Sequence, residues 1–123
     1  MTKQPLLYIA GPYTHPDPVA NTRRMVKIAD ALIPRGVTPL IPHMTLLWHM
    51  VRPRSYDFWL EYDLRLVERC DALLRVPGAS RGADAEVIHA RDLEIPVLQP
   101  VGGRISDCVS AVRDWILNSY EEG

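Results

Sequence analysis

Short apolar runs alternate with amphipathic segments along the chain, and this pattern predicts an α/β fold. Leu6–Ala10 is an apolar run closed by Gly11-Pro12, which predicts a buried strand entering a turn. Between about 18 and 35 the apolar residues recur at helical spacing, and Gly36 stands where such a helix would end. The same criteria predict further strands at 37–41, 72–76 and 95–98, and further helices at 55–69, at 80–92 and after Gly102-Gly103.

Strands that alternate with helices predict a mostly parallel sheet, because right-handed crossovers place helices over both of its faces. Pro39 inside the second strand favours a sheet edge, since proline cannot donate to a ladder. We therefore expect a single domain over residues 1–123, a Rossmann-like or flavodoxin-like three-layer sandwich of about four to five strands in the order 2-1-3-4. Residues 43–54 show no clear period and are predicted to form a loop.

The composition is that of an ordinary soluble domain, with 47% hydrophobic residues, 24% charged residues and a formal net charge of -1. This charge favours neither a nucleic-acid polymer nor a membrane as partner, and no apolar run approaches the roughly 20 residues of a bilayer span. The N-terminus runs into the first strand without a signal peptide, so a cytoplasmic protein is expected. Cys70 and Cys108 allow one disulfide, but two reduced, packed thiols are favoured.

Two acids are predicted to point inward from helices that flank the third strand. On a helical wheel Glu86 falls beside Gly82 and Ala90, at the edge of an apolar stripe. Asp63 interrupts the stripe of its own helix. A buried acid is costly unless something uses it, although either acid alone could be structural. Two such acids beside one strand favour a function.

Paired carboxylates at the mouth of a parallel sheet suit a retaining attack on an acetal-like carbon. One carboxylate attacks the anomeric carbon while an acid protonates the leaving group. The attacking carboxylate must stay ionised and hydrogen-bonded, whereas the acid needs a pKa that burial raises. Tyr8, inside the first strand, could donate such a hydrogen bond to Glu86. Taken by itself, Tyr8 is favoured as a core tyrosine with a satisfied hydroxyl.

Ser80 and Gly82 are candidates for contact with substrate at the start of a helix. Ser80 either caps that helix or, with Gly82 admitting a ligand, forms an anion site for a phosphate. The turn Gly11, Pro12 and Tyr13 could wrap a sugar or phosphate, and a plain turn is the alternative. Ligands of parallel sheets bind outside the carboxyl ends of the strands, where both segments are predicted to lie.

Two further residues complete the candidate substrate contacts. His43 follows the second strand and could approach the pocket rim, although a surface histidine is the favoured interpretation. Trp59, one turn before Asp63, is included as its helical neighbour. Arg23 and Arg24 open the first helix and are interpreted as solvated. Histidines and cysteines show no compact metal spacing, and GxGxxG and GxxxxGK[ST] are absent, so neither a metal nor another cofactor is expected.

Together these residues resemble the nucleoside 2-deoxyribosyltransferase-like superfamily, which includes nucleoside 5′-monophosphate N-glycosidases. The matching elements span roughly residues 6 to 98. The first two are the segment Tyr8-Ile-Ala-Gly-Pro12 and the first helix, which is followed by Gly36 and then by Pro42-His43. The other two are Asp63, eight residues before Asp71, and Ser80-x-Gly82, which leads to Glu86. The resemblance implies that Glu86 attacks C1′ of the sugar, that Asp63 is the acid for the departing base, and that Tyr8 orients Glu86.

Ser80 departs from one part of that superfamily. Members that work on free nucleosides tend to carry Asp at this place, whereas the 5′-phosphate hydrolases carry Ser. A carboxylate would repel a phosphate, and a hydroxyl at a helix start would bind it. The resemblance therefore implies a nucleotide as the small-molecule substrate, in preference to a nucleoside.

Three functions stay open on the sequence. The first is hydrolysis of the N-glycosidic bond through a glycosyl-Glu86 intermediate, which is favoured; the second is transfer of the sugar to another base. The third is a nucleotide-binding module without turnover. The superfamily usually completes its pocket with a neighbouring subunit, so a homodimer or higher homo-oligomer is expected. The apolar segment 44–51 would then serve as an interface or as a lid over the base.

Overall fold

The computed structural model describes residues 4–121, with side chains to residue 119. It is an α/β domain built on one sheet of four parallel strands in the order β2-β1-β3-β4, as predicted. The strands are β1 Leu6–Ala10, β2 Thr38–Leu40, β3 Ala72–Arg75 and β4 Val97–Leu98. The α-helices are α1 Pro18–Leu32, α2 Thr45–Val51, α3 Tyr56–Val67, α4 Arg81–Asp92 and α5 Ile105–Ile116, and a π-helical turn, Leu117–Glu121, follows α5. The predicted absence of a signal peptide concerns in part residues 1–3, which lie outside the described residues.

Helices cover both faces of the sheet and make a three-layer sandwich. On one face Leu7 and Ile9 of β1 pack with the buried side chains of α1 and α5. On the other face Tyr8 and Ala10 pack with α3 and α4. Successive residues of a strand point to opposite faces, so β1 serves both cores. The acids of α3 and α4 therefore lie on the same side of the sheet as Tyr8.

The two cysteines lie in different layers, which settles their predicted state. Cys70 packs in the core beside α3 and α4, and Cys108 packs in the core beside α1 and α5. Both thiols are free and buried. The two reduced, packed thiols favoured from the sequence are confirmed.

Capping residues and a glycine account for the ends of several helices. Asp17 Oδ1 accepts a hydrogen bond of 3.1 Å from the Val19 amide and caps α1. Ser55 Oγ caps α3 in the same way, accepting from the Phe58 amide at 3.1 Å. A short 3-10 turn follows α1 and ends at Gly36, whose φ of 87° is the left-handed conformation that glycine adopts without strain.

Two predictions of local structure were wrong. Residues 43–54 are not a loop, because a 3-10 turn at Pro42–Met44 leads into α2. Seven residues make only two turns, too few for a helical period to be visible in the sequence. The fourth strand begins at Val97 and not at Ile95, because the Ile95 amide donates to the Ala90 carbonyl at the end of α4.

No helix within the described part of the chain has the length and apolarity that a membrane crossing requires.

Candidate active site

Tyr8 and Glu86 meet in the core between β1 and α4. The Tyr8 hydroxyl donates a hydrogen bond of 2.8 Å to Glu86 Oε2. Tyr8 is fully buried and Glu86 is 5% exposed. The helical period of α4 turns Glu86 toward the sheet because Ala83, Val87 and Ala90 are buried on the same side. Tyr8 is thus a core tyrosine with a satisfied hydroxyl, the favoured interpretation, and the group that satisfies it is Glu86.

Asp63 brings a second carboxyl group to the same place. It projects from α3 and is close enough to Glu86 for the two carboxyl groups to change each other's pKa. Its Oδ1 is buried and has no hydrogen-bond partner among the described residues. The two acids that the sequence predicted to point inward therefore lie together as an interacting pair.

Burial dominates the proton affinity of this pair. It raises the pKa of Asp63 to about 7 and that of Glu86 to about 8, because the charged forms lose their hydration. The Asp63 charge raises the pKa of Glu86 further, whereas the Tyr8 hydrogen bond and the Arg75 charge lower it. The pair therefore holds a proton near neutral pH. The two pKa values describe the titration of the pair and are not properties of each acid separately.

Arg75 is a residue that the sequence analysis missed. It ends β3, and its guanidinium donates to the carbonyls of Val76 and Gly78 and, at 2.9 Å, to Asp84 Oδ1. Its side chain is only 12% exposed. These bonds fix a positive charge at the carboxyl end of the sheet, near enough to Glu86 to favour its ionised form. The sequence feature that could have identified Arg75 is its position as a single cation near the end of the apolar run 72–76.

The start of α4 is occupied by a cap and by a tyrosine. Ser80 Oγ accepts a hydrogen bond of 3.1 Å from the Ala83 amide, so capping, one of the two predicted roles, is shown. A Cβ atom added at Gly82 would come within 3.3 Å of the Tyr56 hydroxyl. Gly82 therefore leaves room for Tyr56, whose ring also lies beside the Arg81 guanidinium. Neither Tyr56 nor Arg81 was predicted to be near the site.

The loops after β1 and β3 pack against each other, as the strand order requires. A Cβ atom at Gly78, whose φ is 132°, would come within 2.5 Å of the Pro12 ring. Gly11 is buried, and a Cβ atom there would meet Met25 Sδ at 2.9 Å and the Val76 side chain at 3.2 Å. The small size of Gly11 is thus explained by packing within the protein.

His43 is buried, and the preference for a surface histidine was wrong. It is 2% exposed, because the turn after β2 folds it beneath the loop of Pro12 and Tyr13. Its Nε2 donates to the Pro12 carbonyl at 2.7 Å, and its Nδ1 has no partner among the described residues. Burial lowers the pKa of His43, which keeps the ring neutral.

Tyr13 connects His43 with the acid pair. Its ring makes an edge contact with His43, the centroids being 5.5 Å apart. Burial and then the Asp63 charge raise the pKa of Tyr13, so its hydroxyl is within electrostatic range of that carboxylate. Tyr13 and Asp63 are both partly exposed, unlike Tyr8 and Glu86. The solvent-facing side of the site is therefore at Tyr13 and Asp63.

Trp59 belongs to an aromatic cluster between α2 and α3. Its indole nitrogen donates to His49 Nδ1 at 2.8 Å, and its ring contacts those of Trp48, Phe58 and Tyr62. The Arg54 guanidinium lies over three of these rings. The polar atom of Trp59 is thus engaged by α2, and the described contacts do not bring it to the acids.

Two surface cavities lie away from the acid pair. One of about 450 Å³ is bounded by α1 and the start of α5. The other, of about 420 Å³, lies between the ends of β3 and β4 and the outer side of α4. Tyr8, Asp63 and Glu86 line neither of them. Within residues 4–121, no group of three or more histidine, cysteine or acidic side chains is placed to hold a metal ion.

Comparison with known protein families identifies the family of this chain. A profile described as a domain of unknown function, DUF7768, matches residues 5–99. The chain belongs to the DUF7768 family. No curated protein matches the chain.

The DUF7768 match runs from just before β1 to just after β4. It includes the whole parallel sheet and every candidate residue from Tyr8 to Glu86. Only α5 and the turn after it follow the matched segment. The acid pair is therefore part of the DUF7768 domain itself and not of a segment added to it.

Proposed function

We propose that this protein cleaves the N-glycosidic bond of a nucleoside 5′-monophosphate through a covalent glycosyl-Glu86 intermediate. The observation that carries the proposal is the group of Tyr8, Asp63 and Glu86, with the Tyr8 hydroxyl 2.8 Å from Glu86 Oε2 and Asp63 close enough to change the pKa of Glu86. Two neighbouring carboxyl groups, one acting as nucleophile and one as acid, are the groups that a retaining glycosidase needs. The resemblance to the nucleoside 2-deoxyribosyltransferase-like superfamily assigns the same three residues.

The reaction takes two steps. In the first, a Glu86 oxygen bonds to C1′ while the bond from C1′ to the base nitrogen breaks; the base keeps that electron pair and takes the proton of Asp63. In the second, water attacks C1′, its proton goes to the Asp63 carboxylate, and Glu86 leaves as a carboxylate. A second base in place of water would give sugar transfer. Hydrolysis is the proposed outcome.

Two surroundings of Glu86 support its role as the nucleophile. Glu86 receives the Tyr8 hydrogen bond and the field of Arg75, and both favour its ionised form. Burial nevertheless raises the pKa of Glu86 to about 8, above the value of about 7 for Asp63, so the proposed roles require the proton to lie on Asp63 once the substrate is bound. Asp63 is partly exposed, so it can reach a base that leaves on the open side.

Support for a 5′-phosphate comes from the start of α4. Ser80 places a neutral hydroxyl there, where a carboxylate would repel an anion. Arg81 and the Tyr56 hydroxyl lie at the same end of the helix. A cation, a hydroxyl donor and the positive end of the helix dipole are groups that bind phosphate.

A nucleotide-binding domain without turnover is the second candidate. The observation in its favour is the enclosure of Glu86, which is 5% exposed and lines neither surface cavity. A nucleophile must touch C1′, so turnover requires Glu86 to become more accessible than it is in this structure. A binding domain needs no such change.

Base release separates the two candidates. The protein is incubated with a panel of nucleosides and their 5′-monophosphates, and free base is measured by chromatography. We expect release from a monophosphate, and a loss of more than about a thousandfold in Glu86→Gln. Glu61→Gln, an exposed acid on α3, is the control and keeps its activity.

Trapping identifies the nucleophile directly. A slow 2-fluoro nucleotide should leave a mass shift on the peptide that contains Glu86, and no shift in Glu86→Gln. Saturable nucleotide binding with no base released from any substrate would exclude the enzyme and leave the binding domain. Full turnover by Glu86→Gln would exclude the covalent mechanism.

The proposed function includes a homo-oligomer in which a second copy covers α2. Exposed apolar side chains follow one another there, with Met44 55%, Leu47 66%, Met50 68% and Val51 85% exposed. An apolar surface of this kind marks an interaction site. Sedimentation velocity should give a dimer or larger species for the wild type and a monomer for Val51→Asp. A monomeric wild type at high concentration would exclude this part of the proposal.

A further inference from the structure

A cavity of about 450 Å³ lies between the first turns of α1 and the start of α5. Its size is within the range of sites for small molecules, roughly 300–1,000 Å³. Ala20, Val19 and Ile105 form part of its wall. Arg24 also lines the cavity, and its guanidinium donates a hydrogen bond of 3.2 Å to the Gly103 carbonyl. The cavity is therefore built by two helices that one arginine ties together.

The lining is strongly cationic. Arg23, Arg24 and Lys27 all line the cavity, against one acid, Asp17. No ion pair within residues 4–119 includes any of these three cations. Asp17 accepts a hydrogen bond from the Val19 amide as the cap of α1 and makes no ion pair with these cations. Three cations against one acid leave this concave surface with a net positive charge.

Asp107 of α5 does not line the cavity. It lies beside the turn at Gly102, where its Oδ2 accepts a hydrogen bond of 3.1 Å from the Arg104 amide. Both α1 and α5 begin at the cavity, so the positive ends of two helix dipoles add to the side-chain charges.

This cavity is separate from the acid pair. It lies on the side of the sheet covered by α1 and α5, whereas Tyr8 and Glu86 lie on the side covered by α3 and α4. The two sites share no residue. Ser80 and Arg81, which are proposed to bind the 5′-phosphate of the substrate, do not line this cavity either.

We infer that this cavity binds a small molecule carrying a diphosphate or triphosphate chain. A single anion would engage only part of the cationic lining, whereas linked phosphates present several oxygens to Arg23, Arg24 and Lys27 together. Guanidinium groups bind phosphate oxygens through paired, charge-assisted hydrogen bonds, and a lysine adds a point charge. The site depends neither on Glu86 nor on turnover.

Calorimetric titration tests the inference with inorganic triphosphate and with a nucleoside triphosphate as separate probes. The protein is the full chain carrying Glu86→Gln, so a failure of the proposed catalysis has no effect on the result. We expect saturable binding of one triphosphate per chain. Similar affinity for the two probes would assign binding to the phosphate chain alone, and tighter binding of the nucleotide would add a contact with the apolar wall.

Matched variants locate the bound triphosphate. Arg23→Gln with Lys27→Gln should weaken binding by at least about tenfold, because two charge-assisted contacts are lost. Arg35→Gln with Arg65→Gln removes the same charge from exposed positions outside the cavity and should change affinity by less than about twofold. Circular dichroism melting checks that both variants are folded.

Three results would overturn the inference. The first is the absence of saturable binding to the folded protein at low ionic strength. The second is an equal loss in the two double variants, which would mean nonspecific attraction to net charge. The third is a loss of triphosphate binding in Ser80→Asp with no loss in the cavity variant, which would place the phosphate at α4.

Discussion

The Tyr8 hydroxyl donates its hydrogen bond to Glu86 Oε2 across the junction of β1 and α4, linking residues 78 positions apart. Tyr8 lies on the strand at the centre of the sheet and has almost no freedom to move away. The carboxyl group is therefore held by a rigid element, while Asp63 approaches it from α3. This arrangement links catalysis, stability and pH in ways that can be measured.

Stability should fall as the pH rises from about 4.5 to about 8, the interval between the unfolded and folded pKa values of the pair. The folded pair has pKa values raised to about 7 and 8, so the folded protein binds protons that the unfolded chain has already released. Stability from a raised carboxyl pKa is present below the unfolded pKa and is lost as the pH passes through the folded value. The slope is up to about 1.4 kcal/mol per pH unit for each such proton.

Urea denaturation across that window measures the slope. The lowered pKa of His43 acts with the opposite sign below about pH 6.5, where the unfolded histidine becomes protonated, so the slope of the acid pair is read between about pH 6.5 and 8. Glu86→Gln should flatten the profile and be more stable than the wild type at the alkaline end. Glu61→Gln should keep the wild-type slope. An equally steep fall in Glu86→Gln would mean that other groups bind the proton.

Tyr8→Phe should shift the pH dependence of base release while the protein stays folded. Loss of the hydroxyl removes a bond that favours ionised Glu86, so its pKa rises and the acid limb of kcat/KM moves to higher pH. Removing a hydrogen bond to a charged group should slow base release by roughly tenfold to hundredfold. Tyr62→Phe, in the aromatic cluster, is the control. A reduced rate with an unmoved pH profile would reduce Tyr8 to a packing role.

Asp63→Asn should slow cleavage most for bases that depart poorly. An amide cannot supply the proton, and general acid catalysis is worth roughly a hundredfold to ten-thousandfold for leaving groups that need it. A p-nitrophenyl glycoside phosphate needs no protonation and should lose little. The measurement is kcat/KM across bases of differing proton affinity, with Glu61→Gln as the control. A uniform loss across all leaving groups would contradict the acid role.

The topology and the inward acids were predictable because each depends on local pattern. Pro39 marks β2 as an edge from its own chemistry, and Asp63 and Glu86 interrupt helical periods that a wheel displays. The position of Tyr8 in the first strand followed from the same pattern. These features need only the residues near them in the chain.

The remaining features depend on contacts between distant segments. His43 is buried because the Pro12 carbonyl lies above it, and nothing near residue 43 indicates that partner. Tyr56 approaches Gly82 only because α3 and α4 pack side by side. The short α2 shows no period of its own. Such neighbours are set by the assembled fold, so the sequence could suggest the acids but not the residues around them.

Ser80→Asp separates the two roles of Ser80. Asp caps helices as well as Ser does, so the melting temperature should change little. The new carboxylate would stand where the 5′-phosphate is proposed to bind, so KM for the monophosphate should rise by at least about tenfold through charge repulsion. Cleavage of the free nucleoside should be unaffected. Ser55→Asp is the matched control, because Ser55 caps α3 with the same 3.1 Å bond from the amide three residues on. If both variants bind the monophosphate as the wild type does, Ser80 is a cap alone and the phosphate binds elsewhere.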